Sequence, residues 1–252
     1  MQEKYVMELL EKGRRADGRR LDQFREIFVE KGVIKKAEGS ALVTLGKTKV
    51  MAGVKMGIGE PFPDAKDEGI LIVNAEFSPI ASPEFESGPP SEDAIELARI
   101  VDRTLREGKC IQLNKLSISE DKVFIVFIDL YPLNDDGNLL DASALAALAA
   151  LTNTKVPKVE NGEIVRGEFV GDLPLSHKPL VVSVCTFGDK ILVDPSWQEE
   201  RVVNSKLAVG VREDEKICAL QKQGSGTLRF SDIERILDMA IEKSKELRKL
   251  VG

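Results

Sequence analysis

The chain is poor in the residues from which most catalytic centres are built. It has one histidine, His177, in the turn PLSHKP, with no serine or cysteine nucleophile signature beside it. A lone loop histidine without a partner reads first as a surface residue. Cys110, Cys185 and Cys218 are far apart, odd in number and without a C-x-x-C pair, which argues against a disulfide framework and a zinc site. Lying in or beside apolar segments, they read as buried, inert thiols. Aromatics are 5% of the chain, too few for a base-stacking platform. No apolar run approaches the ~20 residues that span a bilayer. The start, MQEKYVMELLEKGRR, is amphipathic and charged rather than a signal peptide, so a cytoplasmic location is expected. A P-loop, a dinucleotide fingerprint and H-E-x-x-H are all absent, and neither a cofactor nor a metal is expected. Positive charge is not in excess either: the net charge is −6, so any contact with nucleic acid must come from a local basic patch.

What is there describes a soluble globular chain. Its 252 residues, 42% hydrophobic and 31% charged, suit one large domain or two small ones. Helical spacing over 2–12 ends at Gly13 and leads into a basic turn, RRADGRRLDQFR, with Arg14, Arg15, Arg19, Arg20 and Arg25. β-Branched runs at 24–34, 39–50 and 51–59 predict a meander with a turn at Gly46-Lys47. The run 70–80 is apolar enough for a central strand. A Pro-rich loop, 81–91, precedes a helix capped by Ser91 and ended by Gly108. A strand at 122–133 and a small-residue helix at 142–153 follow. From near Val156, turns at Asn161-Gly162, Gly188-Asp189 and 213–215 punctuate further strands. Ser231 and Glu234 predict a capping box for a last helix, with Ile233, Ile236, Leu237, Ala240 and Ile241 as its apolar stripe. The organisation reads as an N-terminal helix and basic turn (1–30), a first α+β unit (31–155) and a second (156–252).

One segment stands out for chemistry. In ELARIVDRTLREGK, at about 100° per residue, Arg99, Arg103 and Arg106 share one face, and Leu97, Ile100, Val101 and Leu105 the other. Guanidinium groups a helical turn apart suit successive phosphates of one strand. The plainer account is a solvated face with local pairs, Glu96 with Arg99 and Asp102 with Arg106.

Several motifs together resemble the RNase PH family: R-A-D-G-R-R at 15–20, EGSALVTLGKTKVMAGV at 38–54, ELARIVDRTLRE, VFIVFIDLYPLNDDGNLLDASALAAL and ILVDPSWQEE. The likeness spans nearly the whole chain and is nearest to the inactive subunits of the archaeal exosome. It implies an α+β fold of two β-α-β-α units like ribosomal protein S5 domain 2. It also implies a hexameric ring of three active and three inactive subunits, with S1/KH-type RNA-binding cap subunits. In such a ring, single-stranded RNA is degraded from its 3′ end by phosphate attack. By the same resemblance Arg99 and Arg103 are RNA-binding and lie at the interface with the active subunit; Arg106 joins them from its shared face. No catalytic residue is expected. Active members hold phosphate with a Gly-Gly-(Ser/Thr)-Arg segment at a helix start. Here the stretch reads Asp136-Gly137-Asn138-Leu139-Leu140-Asp141, and Asp141 is expected to cap the helix and repel an anion. Glu200 keeps one acidic position of the second half, while Asn204 and Lys206 replace the others. The loop before the arginine helix is acidic, with Glu84, Glu86, Glu92 and Asp93, where active members carry arginines. The alternatives are a self-sufficient phosphorolytic exoribonuclease with a phosphate site from Arg14–Arg20, and an S5-like RNA-binding module outside any exosome.

Overall fold

The computed structural model describes residues 2–252. A long hairpin organises the first half: β2 (Gly39–Leu45) turns into β3 (Thr48–Gly59). The turn needs Gly46, whose φ is +59° and where a Cβ would sit 2.5 Å from the Arg25 side chain. β1 (Ile27–Lys31), which starts inside the segment 1–30, flanks β2, and β6 (Lys122–Asn134) runs antiparallel to β3. Along β6, Val126, Ile128 and Leu130 are buried, and Ile125, Phe127 and Asp129 alternate with them on a more open face. β5 (Ser117–Ser119) pairs with the start of β6.

The strand expected to be central, β4 (Ile70–Ala75), is instead an edge strand, parallel to β6. It is apolar because the helix α2 (Glu92–Glu107) covers it, not because strands flank it on both sides.

The second sheet has the order β10-β9-β11-β12, with β9 (Leu180–Phe187), β10 (Lys190–Val193), β11 (Ser205–Val211) and β12 (Ile217–Gln223). Between the sheets lies α3 (Leu139–Leu151), packed on β2 and β3 from one side and on β9 from the other. Its sequence, LLDASALAALAAL, is apolar all round and buried from Leu140 to Leu151, as a helix enclosed on all sides requires. It begins three residues before the small-residue run expected at 142, because Asn138 in a left-handed conformation starts it. Every residue of β9 is buried, since α3 covers one face and α5 (Phe230–Arg248) the other. β7 (Lys155–Glu160) and β8 (Glu163–Asp172) form a separate ribbon. The whole is the two-unit α+β architecture implied by the resemblance.

The capping box expected at Ser231 and Glu234 does not form. The helix starts at Phe230, so Ser231 lies within the first turn, and Arg229 at the cap pairs with Asp232 instead. A capping box is found at Ser196 and Glu199, opening α4 (Trp197–Glu200). At the N-terminus, α1 (Gln2–Glu11) packs Val6 and Leu10 against Cys185, Phe187 and Leu192.

Candidate functional site

The α2 helix is fixed before it can act. The Ser91 Oγ accepts from the Ala94 amide at 3.2 Å, and Leu97, Ile100, Val101 and Leu105 are buried. The opposite face carries Arg99, Arg103 and Arg106, all exposed. Their surroundings differ. Arg106 donates to both oxygens of Asp102 (2.7 and 3.1 Å) and to the Leu71 carbonyl (2.8 Å), and Asp102 raises its pKa. Its guanidinium is committed to the fold. Arg99 and Arg103 have no ion-pair or hydrogen-bond partner among the described residues.

The local pair proposed between Glu96 and Arg99 is absent. Glu96 accepts instead from Gln221 Nε2 (3.3 Å) and Gln223 Nε2 (2.8 Å) on β12, which joins helix to sheet and leaves Arg99 without that pair. A groove of about 620 Å³ runs between α2 and β12, lined by Arg99 and Arg103, by Ile95 and Leu220, and also by the acids Glu92, Asp93 and Glu96. It suits a polyanionic backbone at the arginines and an apolar surface at Ile95 and Leu220.

Beside this helix, at the start of α3, lies a small pocket of about 170 Å³ lined by Leu139, Leu140, Glu200, Lys206 and Gln223. Glu200 Oε1 accepts from the Asn138 amide at 3.2 Å and from Lys206 Nζ at 3.3 Å. Burial opposes the charge on Lys206, yet Glu200 holds its pKa above the usual lysine value. An amide that an anion would use at this helix N-terminus is therefore engaged by the chain's own carboxylate. Leu139 and Leu140, at the positions where the resemblance implies a hydroxyl and a guanidinium in active members, line this pocket with apolar side chains. Asn204 lies apart from this pair: its Oδ1 accepts from the Gly188 amide at 2.9 Å and braces a turn.

Asp141 does not do what was expected of it. It neither caps α3 nor faces the pocket; the cap position is Asn138. Both Asp141 oxygens accept from the Ser183 amide (2.9 and 3.1 Å), and one also from Asn138 Nδ2 (3.1 Å), tying α3 to β9. Burial pushes its pKa up to about 6 against those hydrogen bonds.

The basic turn 14–25 is a clasp rather than an open anion site. Arg15 is fully buried and bonds Glu199 through Nε (2.9 Å) and Nη2 (2.5 Å). Arg19 Nη1 reaches Asp194 Oδ2 at 2.8 Å, and Arg20 pairs with Asp22. Arg25 meets Asp194 through Nε (2.9 Å) and Nη2 (2.7 Å), and Asn138 Nδ2 adds a bond at 3.0 Å. Burial raises the Asp194 pKa, but Arg25 and Arg19 outweigh it and hold the carboxyl below the usual range. The importance of Asp194 and Glu199 was missed in the sequence. The available signal was five arginines against two aspartates, Asp17 and Asp22, in one turn, an excess that calls for carboxylates from elsewhere.

The remaining candidates are structural. His177 Nδ1 lies 2.6 Å from Glu213 Oε1 and its Nε2 2.7 Å from Arg212 Nη2, which pins the loop to the β11–β12 turn. Cys110 and Cys185 are buried, and burial pushes the Cys110 thiol up to about 12. Cys218, also expected to be buried, is only partly covered on the edge strand β12.

Comparison with known proteins places these features. The model of the 3′ exoribonuclease family, domain 1, matches residues 23–157, and that of domain 2 matches 177–243. The chain is 45% identical over 251 residues to the exosome complex component Rrp42 of Thermococcus gammatolerans, covering 98% of this chain and 92% of that one. To the protein of the same name from Methanocella arvoryzae it is 51% identical over 250 residues, covering 98% and 95%. It superposes with a TM-score of 0.94 and 47% identity on a chain of the Archaeoglobus fulgidus exosome with RNA bound to the active site, covering 100% and 98%.

Proposed function

This chain belongs to the 3′ exoribonuclease family, and from that premise we propose that it is a non-catalytic subunit of an archaeal exosome ring. Arg99 and Arg103 hold single-stranded RNA by its backbone, and an active family member in the same ring supplies phosphorolysis. Cap subunits of the S1/KH type complete the assembly.

The observation that carries this reading is a contrast in charge. In the pocket at the start of α3, the amide and the ammonium that would hold a phosphate are both engaged by Glu200. On α2, two guanidiniums have no ion-pair partner among the described residues. Phosphate is the attacking group in phosphorolysis, so a chain that cannot hold it cannot start the reaction. A phosphodiester backbone needs only accessible cations, and bidentate donors suit it best. With few aromatics available for stacking, base identity should matter little.

The test is phosphorolysis of 5′-labelled RNA with inorganic phosphate by this chain alone, by an active family subunit alone, and by both together. We expect no nucleoside diphosphate from the chain alone, and tighter RNA binding by the mixture than by the active subunit alone. Nucleoside diphosphate release by the chain alone would falsify the non-catalytic assignment.

A further inference from the structure

A second groove, of about 950 Å³, lies at the N-terminal end of α2, between the Pro-rich loop and the end of β6. Its chemistry is the reverse of the arginine face. Its walls are apolar and aromatic: Phe77 and Phe85 stack with centroids 4.6 Å apart, Tyr131 and Leu133 are each 38% exposed, and Ile80 is 76% exposed. Glu76, Glu84, Glu86 and Asp93 line it as well. Glu84 has a cation, Arg201 Nη1 at 2.7 Å. Glu76, Glu86 and Asp93 have none among the described residues. Pro79, Pro89 and Pro90 stiffen the wall, so little ordering is needed on binding.

An aromatic floor rimmed by unpaired carboxylates suits a planar cation, which lays its face on a ring and directs its N–H edge to an acid. The chain itself shows this arrangement at the groove's edge. Arg201 lies over the Trp197 ring at 4.6 Å and pairs with Glu84. RNA is disfavoured here, because its phosphates would meet like charge. Exposed Ile80 and Leu133 call for apolar cover, which a polypeptide supplies.

We propose that this groove is a docking surface for an arginine-bearing segment of another subunit, whose guanidiniums stack on Phe85 or Tyr131 and pair with Glu76 and Glu86. The proposal rests on the chain working within an assembly, but not on Arg99 and Arg103 holding RNA. Along α2 the two surfaces divide the work: the acidic groove takes protein, and the arginine face takes nucleic acid.

The test places photoreactive benzoylphenylalanine at Ile80 in the full chain, co-purified with an active family subunit, and identifies the attached peptide by mass spectrometry. We expect attachment to a peptide of another subunit with arginine within about five residues, the length that spans such a groove. Glu76→Gln with Glu86→Gln should lower the yield about tenfold, since charge-assisted bonds are lost. If that double variant loses its fold, Glu86→Gln alone, on the exposed loop, should still lower it about threefold. Attachment to RNA, attachment to a segment lacking arginine, no attachment, or a yield indifferent to these substitutions would each overturn the proposal. RNA affinity and phosphorolysis of the same assemblies should stay unchanged, so a failure here is separable from a failure of the subunit assignment.

Discussion

The basic turn 14–25 and the arginine face of α2 are both conspicuous runs of positive charge, and they meet opposite fates. In the turn, Arg15, Arg19, Arg20 and Arg25 each find a carboxylate, with Asp194 and Glu199 supplied from far along the chain. On α2, among the described residues, only Arg106 has an ion-pair partner, Asp102 one turn away, while Glu96 is drawn off by glutamines of β12 and Glu92 and Asp93 line the groove without pairing. The arginines are alike; the distribution of acids around them is not. Positive charge is free to bind a ligand only where the fold withholds its counter-charge.

The largest expected effect comes from opening the clasp. Asp194→Ala leaves Arg25 and Arg19 partly buried without their main acceptor, and breaking such a pair costs about 3–5 kcal/mol. Chemical denaturation should show this loss, whereas Arg99→Ala should stay within about 0.5 kcal/mol of the parent. The same carboxyl gives a pH signature. Its folded pKa lies below the ordinary 3.8, so its contribution is present above that value and is lost as pH falls through the lowered folded pKa. Asp194→Asn should flatten the acid limb of the stability curve.

Next in size is the pair proposed to hold RNA. Arg99→Glu with Arg103→Glu should weaken RNA binding by the assembled ring about ten- to a hundredfold at low salt. The slope of log affinity against log salt should fall by about 1.4, two single-strand phosphate contacts' worth. Retained affinity and slope in filter binding would remove the helix from the RNA path. Smaller again is Arg106→Ala, which should cost about 0.5 kcal/mol of stability through its pair with Asp102 and leave RNA affinity within about twofold. A loss as large as that of Arg99→Ala would put Arg106 back in the binding face. The smallest effect, no gain at all, is expected from Leu139→Ser with Leu140→Arg, because Glu200 still occupies the Asn138 amide and Lys206. Robust nucleoside diphosphate release would show that the leucines were the sole obstacle.

Much of the fold was legible because its signals are local. The turns at Gly46, Gly162 and 213–215 and the helix behind Ser91 follow from φ preferences and capping, which act within a few residues. Position within a sheet is not local. β4 reads as central because apolarity does not say whether a strand or a helix covers it. Ser231 and Glu234 have capping-box spacing, but the helix starts at Phe230 and leaves Ser231 one residue inside it. The candidate site depends on both kinds of signal. A face of arginines is a matter of spacing, so Arg99 and Arg103 could be singled out; that Arg106 is spoken for depends partly on the Leu71 carbonyl, brought there by the fold. Asp141 was read as a cap because it is acidic and near a helix start, yet three residues of offset turned it toward Ser183.

The placement of α3 has a bearing on what can be separated. Both sheets use this one oily helix as their inner lining, so the two family units in the sequence are not two spare parts. A chain cut in the 152–154 turn would leave one fragment with a naked flank on its helix and the other with a bare sheet. Heating should accordingly melt the halves in one event, and any inherited duplication has been welded shut.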